Sequence, residues 1–225
     1  MKVMLLGATG LTGRSVLSGL LEASEVSKVI ALVRRPIDME HAKLQAVVVD
    51  FDRLNEHADC FDVSVVVCCL GSTIKAAGSM AQFRKVDYQY CLEAARIARA
   101  HGANALLLMS AIGASSRSSV FYNRTKGELE DAVRELGFDV LSIFHPSLLL
   151  GDRREQRLAE SAASAMAPVL NGVLLGPLRP YRAIRAEAVA QAMVNEVKGI
   201  ATASSPARAV NVWSYDDILA KSHQA

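Results

Sequence analysis

Met1-Lys2-Val3-Met4-Leu5-Leu6-Gly7-Ala8-Thr9-Gly10-Leu11-Thr12-Gly13-Arg14 decides the fold. An apolar run, Lys2–Leu6, leads into three glycines at three-residue intervals, and Thr12–Leu21 carries Val16, Leu17, Leu20 and Leu21 at helical spacing. Strand, glycine loop and helix in that order are the setting of a dinucleotide fingerprint. Gly7 permits the sharp turn, Gly10 lets backbone approach phosphate oxygens with no Cβ in the way, and Gly13 lets the helix pack on the strand. The helix N-terminus adds free N–H groups and the positive end of its dipole. The candidate cofactor contacts of this stretch are Gly7, Thr9, Gly10, Leu11, Thr12, Gly13 and Arg14.

Outward from the loop, apolar runs alternate with helical patterns. Strands are expected at Lys28–Val33, Ala46–Val49, Val63–Cys69, Ala105–Met109 and Val140–Phe144. Long helices are expected over about 80–100 and 119–136, closed by Gly102 and Gly137. Continuous apolar strands separated by helices specify βαβ units and a parallel sheet covered on both faces. The expected fold is therefore α/β, a doubly wound, mostly parallel, Rossmann-like sheet in a single domain with its cofactor-binding core in residues 1–146. Beyond His145-Pro146-Ser147 the rhythm loosens. Residues 147–225 read as an extension covering the substrate cleft: a helix from Gly151 up to Pro168, loop over Asn171–Pro180, a helix over Glu187–Val197, a last strand at Ala209–Val212, and a capping box at Ser214-Tyr215-Asp216-Asp217.

The end of the second strand selects the nucleotide. A site for NAD places an acid there on the ribose 2′-hydroxyl. Here Val29-Ile30-Ala31-Leu32-Val33 ends in Arg34-Arg35-Pro36. Guanidinium groups suit a 2′-phosphate through charge-assisted bonds, so NADP(H) is preferred over NAD(H), with Arg14 able to join. Asp50, just past the third strand, is placed to meet an adenine amino group.

Ser110 ends the strand Leu106–Met109, and Tyr122 and Lys126 lie at i and i+4 on one helix face. Reducing a carbonyl by hydride requires a proton on the developing alkoxide. A tyrosine of ordinary pKa, about 10, exchanges poorly near neutrality, and a nearby ammonium favours its phenolate. A serine hydroxyl can hold the substrate oxygen beside it. Ser110, Tyr122 and Lys126 are the candidate catalytic residues.

These motifs resemble the atypical branch of the short-chain dehydrogenase/reductase family. Cys69-Leu70-Gly71-Ser72-Thr73, Phe83-Arg84-Lys85-Val86-Asp87-Tyr88 and Gly151-Asp152-Arg153-Arg154 narrow the resemblance to its CC3/TIP30-like subgroup. It implies a nicotinamide cofactor, Tyr122 as proton donor and acceptor, Lys126 on the nicotinamide ribose and Ser110 as substrate orienter. It also implies that Leu70, Gly71, His145, Pro146 and Ser147 line the cofactor's far end. Where many members carry Asn in the long fourth helix, this chain has Asp87.

Composition bounds the alternatives. Hydrophobic residues make up 51% and charged ones 21%, which supports a sizeable core and little disorder. A net charge of +2 and 5% aromatics give no basic stripe for nucleic acid. The first apolar run stops at Gly7, short of a secretion signal, and no stretch is long enough for a membrane span. Cys60, Cys68, Cys69 and Cys91 lack zinc spacing and read as reduced, buried thiols of a cytoplasmic protein, so no metal is expected. Arg153, Arg154, Arg157, Arg179, Arg182 and Arg185 read as mostly pairing with Asp152, Glu155, Glu160 and Glu187 or solvated, a reading favoured over an anion-binding rim for a negatively charged substrate. Two functions follow. One is an NADPH-dependent oxidoreductase acting on a small carbonyl or alcohol. The other is an NADPH-binding redox sensor signalling through a protein partner. The chain is expected as a monomer or homodimer.

Overall fold

The computed structural model describes residues 1–151, 174, 176–203 and 208–224. Its strands are β1 Lys2–Leu6, β2 Lys28–Val33, β3 Leu44–Val48, β4 Val65–Cys68, β5 Ala105–Met109, β6 Val140–Phe144, β7 Leu149–Leu150, β8 Ile184–Arg185 and β9 Ala209–Trp213. Seven form the main sheet in the order β3-β2-β1-β4-β5-β6-β9, and β7 pairs with β8. Every one of these pairings is parallel. Helices α1 Leu11–Glu22, α2 Ile74–Ala77, α3 Met80–Arg84, α4 Cys91–Ala100, α5 Phe121–Glu135, α6 Ala186–Thr202 and α7 Tyr215–Ser222 connect the strands, with 3-10 segments at Phe51–Phe61 and Gly176–Tyr181. The fold is the expected doubly wound α/β sheet. The strand order reverses between β1 and β4, which opens a crevice at their C-terminal ends.

Alternation along each strand builds two cores. Val3 and Leu5 point to one face, where Val16, Leu17 and Leu20 of α1, Val189 and Met193 of α6, and Ile218 of α7 cover them. Met4 and Leu6 point to the other, beneath Leu54, Phe61, Ala94 and Ala98 of α4, and Leu129 and Val133 of α5. Each of the fully buried Val, Leu, Ile, Phe and Met side chains contributes about 1.5–3 kcal/mol relative to exposure.

Three expectations need correction. The tail is more than a cover for the cleft: β9 is the seventh strand of the main sheet and α6 fills one of the cores. Its apolar residues are interrupted by alanines and glycines, which hid that burial. The long helix over 80–100 is not uniform, because Lys85–Tyr90 winds as a π segment between α3 and α4. The expected loop over 171–180 holds a 3-10 turn from Gly176, and the helix expected up to Pro168 lies outside the described residues apart from Gly151. The capping box at Ser214 is present, with the Asp217 carboxylate accepting from Ser214 N at 2.9 Å.

Candidate functional site

A cleft of about 760 Å³ runs along the crevice. Following the strand order, its wall passes from Arg34 and Phe51, past Thr9, Gly10, Leu11, Thr12 and Arg14, to Leu70, Gly71 and Ser72. It continues to Ser110, Tyr122, Lys126, Pro146 and Ser147. Loops after β1, β2, β4, β5 and β6 thus bring most of the candidate residues into one cavity.

The glycines divide their work. Gly7 has φ +81°, and a Cβ there would lie 2.5 Å from the Cys69 carbonyl oxygen. A Cβ on Gly13 would lie 2.0 Å from the Gly7 carbonyl oxygen. These two close the turn and seat α1 on it, and neither lines the cleft. Gly10 does line it and caps α1 with no side-chain bond, and no acid stands in the first turn. Beside it, the Thr12 hydroxyl is buried with no hydrogen-bond partner among the described residues. A helix N-terminus with uncapped N–H groups and an orphaned hydroxyl fits a phosphate.

Arg14 and Arg34 are exposed, line the cleft and make no ion pair among the described residues. Arg35 is exposed but does not line the cleft. Asp50 is not brought to it either. Its side chain caps the 3-10 segment, accepting from Asp52 N at 2.9 Å, and Phe51 takes the wall position. His145 is likewise turned away, since its Nε2 lies 2.8 Å from Glu130 Oε1 on α5.

Glu130 is the residue that sequence reasoning missed. It is 5% exposed and stands behind Ser110, whose Oγ donates to Glu130 Oε1 at 2.5 Å. Arg134 Nη2 lies 3.6 Å from its other oxygen. The signal was available: Glu130 continues the Tyr122, Lys126 spacing by a further four residues on the same helix face.

Tyr122 packs its ring against Phe83, centroids 5.4 Å apart, with its hydroxyl unpartnered among the described residues. One helical turn on, Lys126 is 4% exposed and Asp87 fully buried. Nζ of Lys126 lies 2.8 Å from Asp87 Oδ1 as an ion pair rather than an aligned hydrogen bond. Burial pulls the ammonium toward neutrality, but Asp87 first, then Tyr122 and Cys91, outweigh it and raise its pKa above the ordinary lysine value. Asp87 Oδ2 also accepts from Ser72 N and Ser72 Oγ, both at 2.8 Å.

The four cysteines are free, three of them buried, and burial pushes the Cys69 thiol up, consistent with inert packing. Arg185 pairs with Glu187 at 3.4 Å, whereas Arg179 pairs with Asp216 at 2.7 Å; Arg153, Arg154 and Arg157 lie outside the described residues. Among the described residues no group of three or more His, Cys, Asp or Glu could hold a metal ion, and no helix is long and apolar enough to cross a membrane.

The NAD(P)H-binding family matches residues 7–171. The protein HTATIP2 of Rattus norvegicus is 42% identical over 162 residues, 70% of this chain and 66% of its own length. The mitochondrial protein fmp52 of Aspergillus clavatus is 34% identical over 94% of this chain and 93% of its own. Among solved structures, MoeE5 in complex with UDP-glucose and NAD superposes with a TM-score of 0.69 over 99% of this chain and 81% of its own, at 16% identity. A UDP-glucuronic acid 4-epimerase from Bacillus cereus in complex with NAD gives 0.67 at 13% identity, over 95% of this chain and 76% of its own.

Proposed function

The chain belongs to the NAD(P)H-binding family, and on that premise we propose that it is an NADPH-dependent oxidoreductase of the atypical short-chain dehydrogenase/reductase type, acting on a small carbonyl or alcohol. The observation that carries the reading is one cavity holding the glycine loop and Arg14 and Arg34, without an ion pair among the described residues, toward one end and Ser110, Tyr122 and Lys126 toward the other. Thr12 and the uncapped start of α1 would hold the pyrophosphate, Arg14 and Arg34 a 2′-phosphate, and Lys126 the ribose hydroxyls near the reacting ring. When bound, the cofactor supplies or accepts the hydride.

The chain's own residues handle the proton. Tyr122 presents an uncommitted hydroxyl to the cleft, placed to protonate an alkoxide or to accept the proton of an alcohol. Lys126 places a positive charge one turn away and favours the phenolate that this transfer creates. Ser110 gives its own proton to Glu130, so toward the cleft it offers lone pairs and holds a substrate hydroxyl as an acceptor. The free thiols fit a reducing compartment such as the cytoplasm.

The test is a panel of carbonyl and alcohol compounds followed by NADPH absorbance, run beside Tyr122→Phe. Turnover by the parent and a fall of at least about 100-fold in the variant are expected. Equal rates for parent and variant on a good substrate refute the proton transfer. Tight NADPH binding with no turnover across the panel instead favours a cofactor sensor that acts through a protein partner.

A further inference from the structure

Asp87 comes from the π segment, Lys126 from α5 and Ser72 from the loop after β4, so one carboxylate joins three separate elements. Gly71 brings backbone onto the pair: a Cβ there would lie 3.1 Å from Asp87 Oδ1 and 3.5 Å from Lys126 Nζ. Both charges are almost fully buried at the cleft wall. An ammonium buried to this degree without its counter-charge is strongly disfavoured, so the carboxylate is required by the lysine and not merely near it.

We propose that Asp87 is a positioning residue for Lys126: its Oδ1 compensates the buried ammonium while its Oδ2 pins the Ser72 loop, which locks the lysine and the cleft wall to each other. An ammonium carries three donors. Asp87 occupies one side of it and leaves the others for a ligand in the cleft. The other titratable groups facing Lys126 are the Tyr122 phenol on its own helix and the Cys68 and Cys91 thiols of β4 and α4. Among the described residues Asp87 is the one carboxylate within ion-pair distance of Lys126, so Asp87 is the compensating charge. This rests on the proposed function only for the identity of the ligand that Lys126 meets.

The experiment is a pH titration of the lysine 13Cε resonances of the full chain, with Lys126 assigned through Lys126→Met. The parent Lys126 is expected to stay protonated beyond the point where the exposed lysines titrate. Asp87→Asn is expected to bring its titration down by at least about two pH units, with NADPH affinity falling as pH rises, whereas parent affinity holds steady over that range. A parent Lys126 that titrates with or below the exposed lysines overturns the proposal without any variant. So does an unchanged titration in Asp87→Asn. Ser72→Ala, which keeps the ion pair, should leave the Lys126 titration in place and weaken NADPH binding severalfold; an unchanged affinity overturns the loop half. If the parent does not bind NADPH at all, the proposed function fails, and the lysine titration still decides for or against Asp87.

Discussion

Thr12→Val should make the free protein more stable and the cofactor complex weaker. Valine keeps the β-branch and exchanges only hydroxyl for methyl. Thr12 is 1% exposed, and its Oγ1 has no hydrogen-bond partner among the described residues. A buried hydroxyl left unpaired costs about 1–3 kcal/mol by protein mutational measures. Recovering the lower part of that range, about 1 kcal/mol, raises Tm by roughly 2–4 °C for a chain of this size. In the proposed cofactor complex the same hydroxyl would donate to a phosphate oxygen. Losing a hydrogen bond to a charged group costs about 1.5–3 kcal/mol, or ~10- to 100-fold in Kd. Thermal denaturation without ligand and calorimetric titration with NADPH read the two halves separately. A variant that melts lower than the parent and binds NADPH equally well refutes the reasoning, because the hydroxyl would then be serving the fold.

Arg34→Glu should weaken NADPH by at least about tenfold and leave NADH nearly unchanged; equal losses in calorimetry would remove the 2′-phosphate from its role. Gly13→Ala would drive a methyl to 2.0 Å from a backbone oxygen, so a loss of about 3 kcal/mol or an insoluble product is expected in chemical denaturation. Glu130→Leu strands the Ser110 and His145 donors and should destabilise by about 2–4 kcal/mol, whereas Glu130→Gln, which still accepts from both, should stay within about 1 kcal/mol of the parent. If the two substitutions denature alike, the buried acceptor is not what matters there.

Much of this architecture was legible because it rests on local pattern. The strands β1, β2 and β5 are built on continuous apolar runs that survive any context, and glycines at three-residue intervals have few other uses. The family resemblance came from the same stretches. What was hidden depends on partners distant in sequence. Asp50 is an acid at a strand end, and only the backbone that follows shows that it caps Asp52 rather than facing the cleft. His145 follows a strand into the ligand region, but its ring belongs to Glu130 of α5. Arg34 and Arg35 are adjacent and chemically equal, and only the turn after β2 decides that the first reaches the wall. The tail misled because alanine-rich α6 reads as weakly hydrophobic, yet small side chains are what let it lie close on α1 and carry the chain back to β9.

The π segment at Lys85–Tyr90 sets a length rule for this chain. Such a turn accommodates one residue beyond the ordinary helical count. Deleting any single position between Arg84 and Cys91 would let the run relax into regular winding. The residues of the segment itself would then step around the helix axis by up to about 100°, while the turns on either side kept their register. The carboxylate would leave the ammonium while Phe83, in the turn before the segment, stayed against the phenol, so one missing residue would dismantle the ion pair. Grafts or shortened designs built on this scaffold must keep that surplus residue, even though the span from β4 to β5 could be bridged without it.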